Sequence, residues 1–353
     1  MPPARHRRAA PRRLQPSRFD AVTLQEVTET DWVADLPGAH GVASAALERV
    51  FADGAHVPGL RSLVVVREGL LIGERYFHGA LPSHLLPINS VTKSVSSMLV
   101  GLALSRGTLP GLDEPVHRLL PEAAEWPGAP LAGVTLRQIL QGRTGMAFDV
   151  ERSPELLNAR DPVQRALASP RTPPPRSGWT YNDAAVSLLS PILQRAEGMS
   201  LSALAARDLF APLGIRRFAW QRDRFDRVLA YAGLALRPRD LAKLAWMVLQ
   251  QGRWQDRQVL PADWVAESTR SHGPADWRQA PMQGIGYGHL WFTGVLQGVP
   301  LVWGLGYGGQ WALLAPSLKL VVATAATSPP GEKAMAQMQA VRLLVARVVM
   351  AAR

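Results

Sequence analysis

Cysteine is absent from this 353-residue chain, which removes disulfides, thiolate metal sites and a cysteine nucleophile together. Lysine is nearly absent too. Of 39 basic residues only Lys93, Lys243, Lys319 and Lys333 are lysines; the rest are arginines. No Gly-x-Ser-x-Gly segment occurs, so the nucleophile elbow of α/β-hydrolases is missing. The eight histidines include no His-Glu-x-x-His pair, which argues against a zinc hydrolase, and His78 and His289 read as sheet or surface residues. Zinc-finger spacing, a basic zipper and RNA-binding aromatic motifs are all lacking. The net charge of +11 therefore reads as solubility, with no specific nucleic-acid partner implied. Six arginines and no acid fall in the opening "MPPARHRRAAPRRLQPSR", and no apolar run follows them. Neither a signal peptide nor a membrane span is assigned, and a cytoplasmic location is expected.

What is present is a large apolar fraction, 47%, enough for one big domain or two intimate lobes. Residues 1–30 are expected to form a flexible basic arm and 31–353 a single domain. "HGVASAALERVFADG" (40–54) has helical spacing and ends in glycine, and "SLVVVREGLLIGERYFHG" (62–79) reads as a hairpin turning at Arg67-Glu68-Gly69. From about 88 to 270 the pattern is mostly helical. Beyond it, "YGHLWFTG", "PLVWG", "QWALLAP" and "LKLVVATAAT" alternate short strands with turns, and an amphipathic helix closes the chain. Strands at both ends with helices between imply an α+β fold. Its antiparallel sheet would come from about 60–80 and 285–326, flanked by helices, with an inserted all-helical lobe.

One lysine sits where a lysine is hard to explain. "SVTKSVSSMLVGLALSRG" reads as a helix with Asn89 or Ser90 as its cap and Gly107 as its stop. Ser90 and Lys93 then share a face, one turn apart. A helix N-terminus carries partial positive charge, so an ammonium is misplaced there and has reason to lose its proton when buried. Arginine could not do so. The position calls for a cation that can also be neutral. Further along, "GWTYNDAAVSLLSPIL" places Tyr181 before another helix, with Asp183 a plausible cap, and "VWGLGYGGQWALLAP" is glycine-dense. Glycines there would admit a substrate to backbone N–H groups.

Taken in order, "SVTKSVSSMLVGLALSRGTLPGLDEPVHRLLPE", "VTLRQILQGRTGM", "WTYNDAAVSLL", "LFAPLGI", "LRPRDLAKLAWMVLQQGRWQDRQVLPADWV", "YGHLWF" and "GLGYGGQWALLAPSLKLVV" resemble the serine β-lactamase and penicillin-binding-protein superfamily. The likeness is to its class C-like branch of esterases, D-amino-acid amidases and 6-aminohexanoate-oligomer hydrolases, and it spans roughly residues 35–350. It implies that Ser90 is the nucleophile, Lys93 its general base and Tyr181 the proton shuttle to the leaving group. The third motif falls on Trp303-Gly304-Leu305, and backbone N–H groups of Ser90 and Gly306 would hold the oxyanion. Two positions depart from the pattern. Asp183 stands where the tyrosine motif ends in asparagine, and Trp303 where the third motif begins with a basic residue. Both are expected to contact substrate, with packing alone as the alternative for Trp303 and capping alone for Asp183.

The expected activity is cleavage of a small ester or amide through an acyl-enzyme on Ser90, with no metal or organic cofactor. Two alternatives stay open: a β-lactamase or D,D-peptidase acting on penicillin-like substrates, and a non-catalytic binding or sensor domain. The oligomeric state is not legible from the sequence.

Overall fold

A computed structural model describes residues 18–121, 133–146, 155–156, 158–169 and 178–353. Its main sheet has seven antiparallel strands in the order β3-β2-β13-β12-β11-β10-β9. The strands are β2 (Leu60–Arg67), β3 (Leu70–Tyr76), β9 (Gln283–Tyr287), β10 (Phe292–Leu296), β11 (Val299–Gly306), β12 (Gln310–Ala315) and β13 (Leu320–Ala326). The two chain-distant segments meet where β13 pairs with β2, from Leu320 opposite Arg67 to Thr324 opposite Leu63. Every residue of β13 is buried, so the centre of the sheet is covered on both faces. Its apolar run, broken only by Thr324 and without alternation, follows from that. The hairpin turn between β2 and β3 falls on Glu68 and Gly69, both with positive φ, as a two-residue turn of this hand requires.

Helix α1 (Ser44–Gly54), the Pro238–Leu249 helix and the C-terminal Glu332–Ala351 helix cover the sheet. The last of these is long and apolar enough by length and composition to cross a membrane. Its Val341, Val345, Val348 and Val349 are instead buried in the core, where it packs on α1 and on β2 and β13.

The inserted segment is more mixed than its pattern suggests. Besides helices it carries β4 (Leu86–Pro87), β5 (Arg217–Arg222) and β6 (Leu234–Leu236), which join β1 (Arg18–Thr23) in a second sheet of order β1-β5-β6-β4. A small ribbon pairs β7 (Arg253–Trp254) with β8 (Arg257–Gln258). The expected flexible arm over residues 1–30 meets the described structure only in its second part. Residues 1–17 lie outside the described residues, but 18–30 belong to the body. Strand β1 pairs with β5 along its whole length. Beyond it, Glu29 binds Arg237 at 2.5 Å, and the Thr30 carbonyl accepts from Lys93's fellow buried lysine, Lys243, at 2.7 Å. The sequence hides this because β1 is short and mostly exposed, and is held by its backbone pairing with β5.

Candidate active site

The helix that follows the candidate nucleophile runs through the middle of the protein. In α2 (Thr92–Ser105) only the last two residues escape burial, and two of its serines satisfy carbonyls of other segments. Ser94 Oγ donates to Leu290 O at 2.9 Å, and Ser96 Oγ to Ala230 O at 2.6 Å. Gly107, with the left-handed φ of 72° typical of helix-ending glycines, follows its last turn. The cap at its start differs from expectation. Neither Asn89 nor Ser90 caps it through a side chain; both belong to a 3-10 turn, Asn89–Val91, leading into the helix. Asn89 takes a left-handed backbone with φ of 46°. Its amide donates to Tyr307 O at 2.6 Å and Ser328 Oγ at 2.7 Å. The turn holding Ser90 is thereby tied to the β11–β12 connection.

Strand β11 lies against that turn because two of its residues lack side chains. A Cβ on Gly306 would stand 2.7 Å from Ile88 O, and one on Gly304 would stand 2.8 Å from Ser94 Oγ. Leu305 between them does not disturb the strand, which continues through the pairs Leu305–Trp311 and Gly306–Gln310. The backbone of Gly306 is thus brought close to the Ser90 turn.

Lys93, 2% exposed, reaches three acceptors: Ser90 Oγ at 2.8 Å, Tyr231 O at 2.9 Å and Asp183 Oδ1 at 2.6 Å. Three is the number of N–H groups an ammonium owns. Burial pushes the Lys93 pKa down, and the Asp183 carboxylate opposes it only in part. Tyr181 completes the group. Its ring centroid lies 4.6 Å from Lys93 Nζ, and its hydroxyl is in hydrogen-bonding reach of the Ser90 side chain. Burial, followed by the charge of Asp183, raises the Tyr181 pKa well above its ordinary value, so the phenol keeps its proton. Ser90, Lys93, Tyr181 and Asp183 therefore converge, from two segments nearly ninety residues apart in the chain.

The two departures from the family pattern occupy places other than those expected. Asp183 is not a cap. Asn182 caps the Asp183–Ser187 helix, accepting from Ala185 N at 2.9 Å, and its own amide donates to Met146 O. Asp183 is 4% exposed and faces Lys93, so its polar partner lies inside the protein. Trp303 is fully buried. Its indole N–H donates to Gln279 Oε1 at 3.1 Å, and its ring stacks on Phe292 and tilts against Trp311, both at 5.9 Å. Here the packing alternative describes Trp303, and no part of it meets solvent. Reading the sequence also missed the carbonyl of Tyr231 and the anchoring role of Asn89. The first, a backbone group from a distant loop, leaves no mark in the sequence.

Aromatic rings surround this centre. Trp179 and Phe292 pack on Tyr181, Tyr287 packs on both of them, and Trp277 meets the Tyr181 ring edge-on at 4.9 Å. A second polar cluster lies elsewhere: Glu267, His272 and His289 bring three ligand atoms within 4.8 Å of one another. The two imidazoles, however, are stacked at 4.4 Å and only 4° from parallel. Nitrogen lone pairs lie in the ring plane, so no single ion can sit in both planes in this arrangement.

The sequence model of the beta-lactamase family matches residues 44–347. This chain belongs to the beta-lactamase family. Its fold is that of several solved relatives. A Bacillus anthracis protein provisionally named a 6-aminohexanoate-dimer hydrolase superposes with a TM-score of 0.76 at 17% identity, covering 95% of this chain and 92% of that one. D-amino acid amidase from Ochrobactrum anthropi SV3 gives 0.68 at 19% identity, over 87% and 97% of the two chains. A class C beta lactamase from Rhodobacter sphaeroides gives 0.61 at 20%, over 87% and 99%. At these identities the likeness establishes the fold and leaves substrate open. No curated protein matches the sequence.

Proposed function

We propose that this beta-lactamase-family protein is a serine hydrolase that cleaves a small ester or amide through an acyl-enzyme on Ser90. The observation that carries the reading is the buried Lys93 amine 2.8 Å from Ser90 Oγ. Neutral Lys93 takes the hydroxyl proton as Ser90 Oγ bonds to the substrate carbonyl carbon, and the carbonyl π pair moves onto oxygen. The Ser90 and Gly306 backbone N–H groups would hold that oxyanion, at about 3–4 kcal/mol per donor. Tyr181, which keeps its proton, donates to the departing alcohol or amine as the C–O or C–N bond breaks. Water then bonds to the acyl carbon as Tyr181 takes back a proton from it, and Lys93 returns its proton to Ser90 Oγ as the acyl C–O bond breaks.

Neutral substrates suit this site better than anionic ones. Where the resemblance places a basic residue for a β-lactam carboxylate stands the buried indole of Trp303. The experiment is a comparison of kcat/KM for p-nitrophenyl butyrate, D-amino-acid amides and nitrocefin. Neutral esters or amine-bearing amides are expected to exceed nitrocefin by at least about tenfold, or about 1.4 kcal/mol in transition-state binding. Equal or better turnover of nitrocefin would return the protein to the penicillin-directed reading, and no turnover of any substrate would favour a binding domain.

A further inference from the structure

The serine-hydrolase reading leaves Asp183 without a task, yet the charge is placed where it costs most. A carboxylate 4% exposed, 2.6 Å from an amine 2% exposed, is retained only if it orders its partner, since such pairs contribute little net stability over apolar packing. We propose that Asp183 is a positioning residue, aiming the Lys93 lone pair at Ser90 and setting the pH above which that lysine accepts the serine proton. This rests on the serine-hydrolase reading.

The geometry gives the reason. As an amine, Lys93 has two N–H groups and one lone pair. Of its three neighbours, Tyr231 O is a carbonyl and the Asp183 carboxylate is also an acceptor, so both require N–H. Only the Ser90 hydroxyl can donate, and the lone pair is left pointing at it. An asparagine at 183 could present either its oxygen or its NH2 group, and the lone pair would lose its unique target. The carboxylate acts on charge as well as on direction, favouring the ammonium and so delaying its loss as pH rises.

Other groups facing Lys93 do not supply that effect. Tyr181, Tyr231 and Tyr287 are held protonated by burial, so their phenols are neutral across the working range. Asp223, near Tyr231, is already paired with Arg227 at 2.7 Å.

The test is the pH profile of kcat/KM for p-nitrophenyl butyrate in wild type, Asp183→Asn and Asp183→Glu. With the carboxylate gone, the acid limb should move to lower pH by at least about one unit, a tenfold rise relative to plateau at a pH on that limb. Asp183→Glu should keep the limb and lose plateau rate, because charge survives and distance does not. A limb that stays within about 0.3 unit in Asp183→Asn would overturn the proposal, since a merely structural role moves only the plateau. Should that variant not fold, wild-type protein labelled at lysine 15Nζ and aspartate 13Cγ remains informative, with only four lysine signals to assign. The Asp183 13Cγ signal is expected to move as Lys93 loses its proton, because the two groups are 2.6 Å apart. A Lys93 titration with no carboxyl response would refute the pairing. Fluorophosphonate labelling of wild-type Ser90 separates the two levels: a serine that labels while the limb stays fixed defeats this inference alone, and a serine that never labels defeats the hydrolase reading.

Discussion

Replacing Lys93 with methionine, at a pH on the acid side of the rate profile where the lysine is still an ammonium, is the sharpest stability test of the site's electrostatics. Methionine fills most of the lysine stem's volume, so packing changes little, but Asp183 loses the ammonium 2.6 Å away. Removing one partner of a buried pair costs about 3–5 kcal/mol, because the remaining charge is stranded in a low-dielectric interior. Ser90 Oγ and Tyr231 O lose a donor as well, but Ser90 is half-buried and can recruit water. For a chain of this size each kcal/mol lowers the melting temperature by about 2 °C, so Lys93→Met should melt about 6–10 °C below wild type. The Lys93→Met/Asp183→Asn double variant should recover much of that loss, with a coupling energy of about 2 kcal/mol or more in urea unfolding. A single-variant loss under about 1 kcal/mol, or strictly additive effects, would refute the claim that the two groups are a buried pair.

Gly306→Ala should cut ester hydrolysis at least about tenfold and destabilise by about 1–3 kcal/mol, since the new Cβ would press on Ile88 O at 2.7 Å; wild-type turnover would show that β11 need not lie so close to the Ser90 turn. His289 tests acid stability. Burial, then neighbouring His272, pushes its pKa down to about 3, whereas the unfolded chain takes the proton near pH 6.5. The unfolded state therefore gains a proton first, so this group's contribution is complete above about pH 6.5 and falls as pH drops towards 3. Wild type should lose up to about 3–4 kcal/mol more than His289→Asn between pH 7 and 3.5, and parallel denaturation curves for the two proteins would contradict this.

How far the sequence could be read depended on which contacts leave a local trace. The β2–β3 hairpin showed in Glu68-Gly69, and β13 in an apolar run broken only by Thr324, because turn chemistry and two-sided burial both act on residue choice. Ser90 and Lys93 were legible for a similar reason: one helical turn brings them together whatever the rest of the chain does. Asp183 was harder. Next to Asn182 at a helix start, either residue could cap, and only the structure shows Asn182 doing so while Asp183 turns to Lys93. Trp303 could have faced substrate or core, since a strand residue's side depends on register and not on its own identity. Its burial against Gln279, Phe292 and Trp311 follows from pairings over long sequence separations. Strand β1 was missed because its support is a ladder of backbone bonds to β5, which no side-chain pattern announces.

The central claim is that Lys93 makes Ser90 a nucleophile, and covalent labelling tests it directly. Intact-mass analysis after incubation with a fluorophosphonate should show one adduct per wild-type chain, with peptide mapping placing it on Ser90. Ser90→Ala should take no label. Lys93→Arg should label at least about a hundredfold more slowly although its charge is kept, because a guanidinium cannot accept the serine proton. Labelling of Lys93→Arg at the wild-type rate, or an adduct on another residue in wild type, would contradict the account.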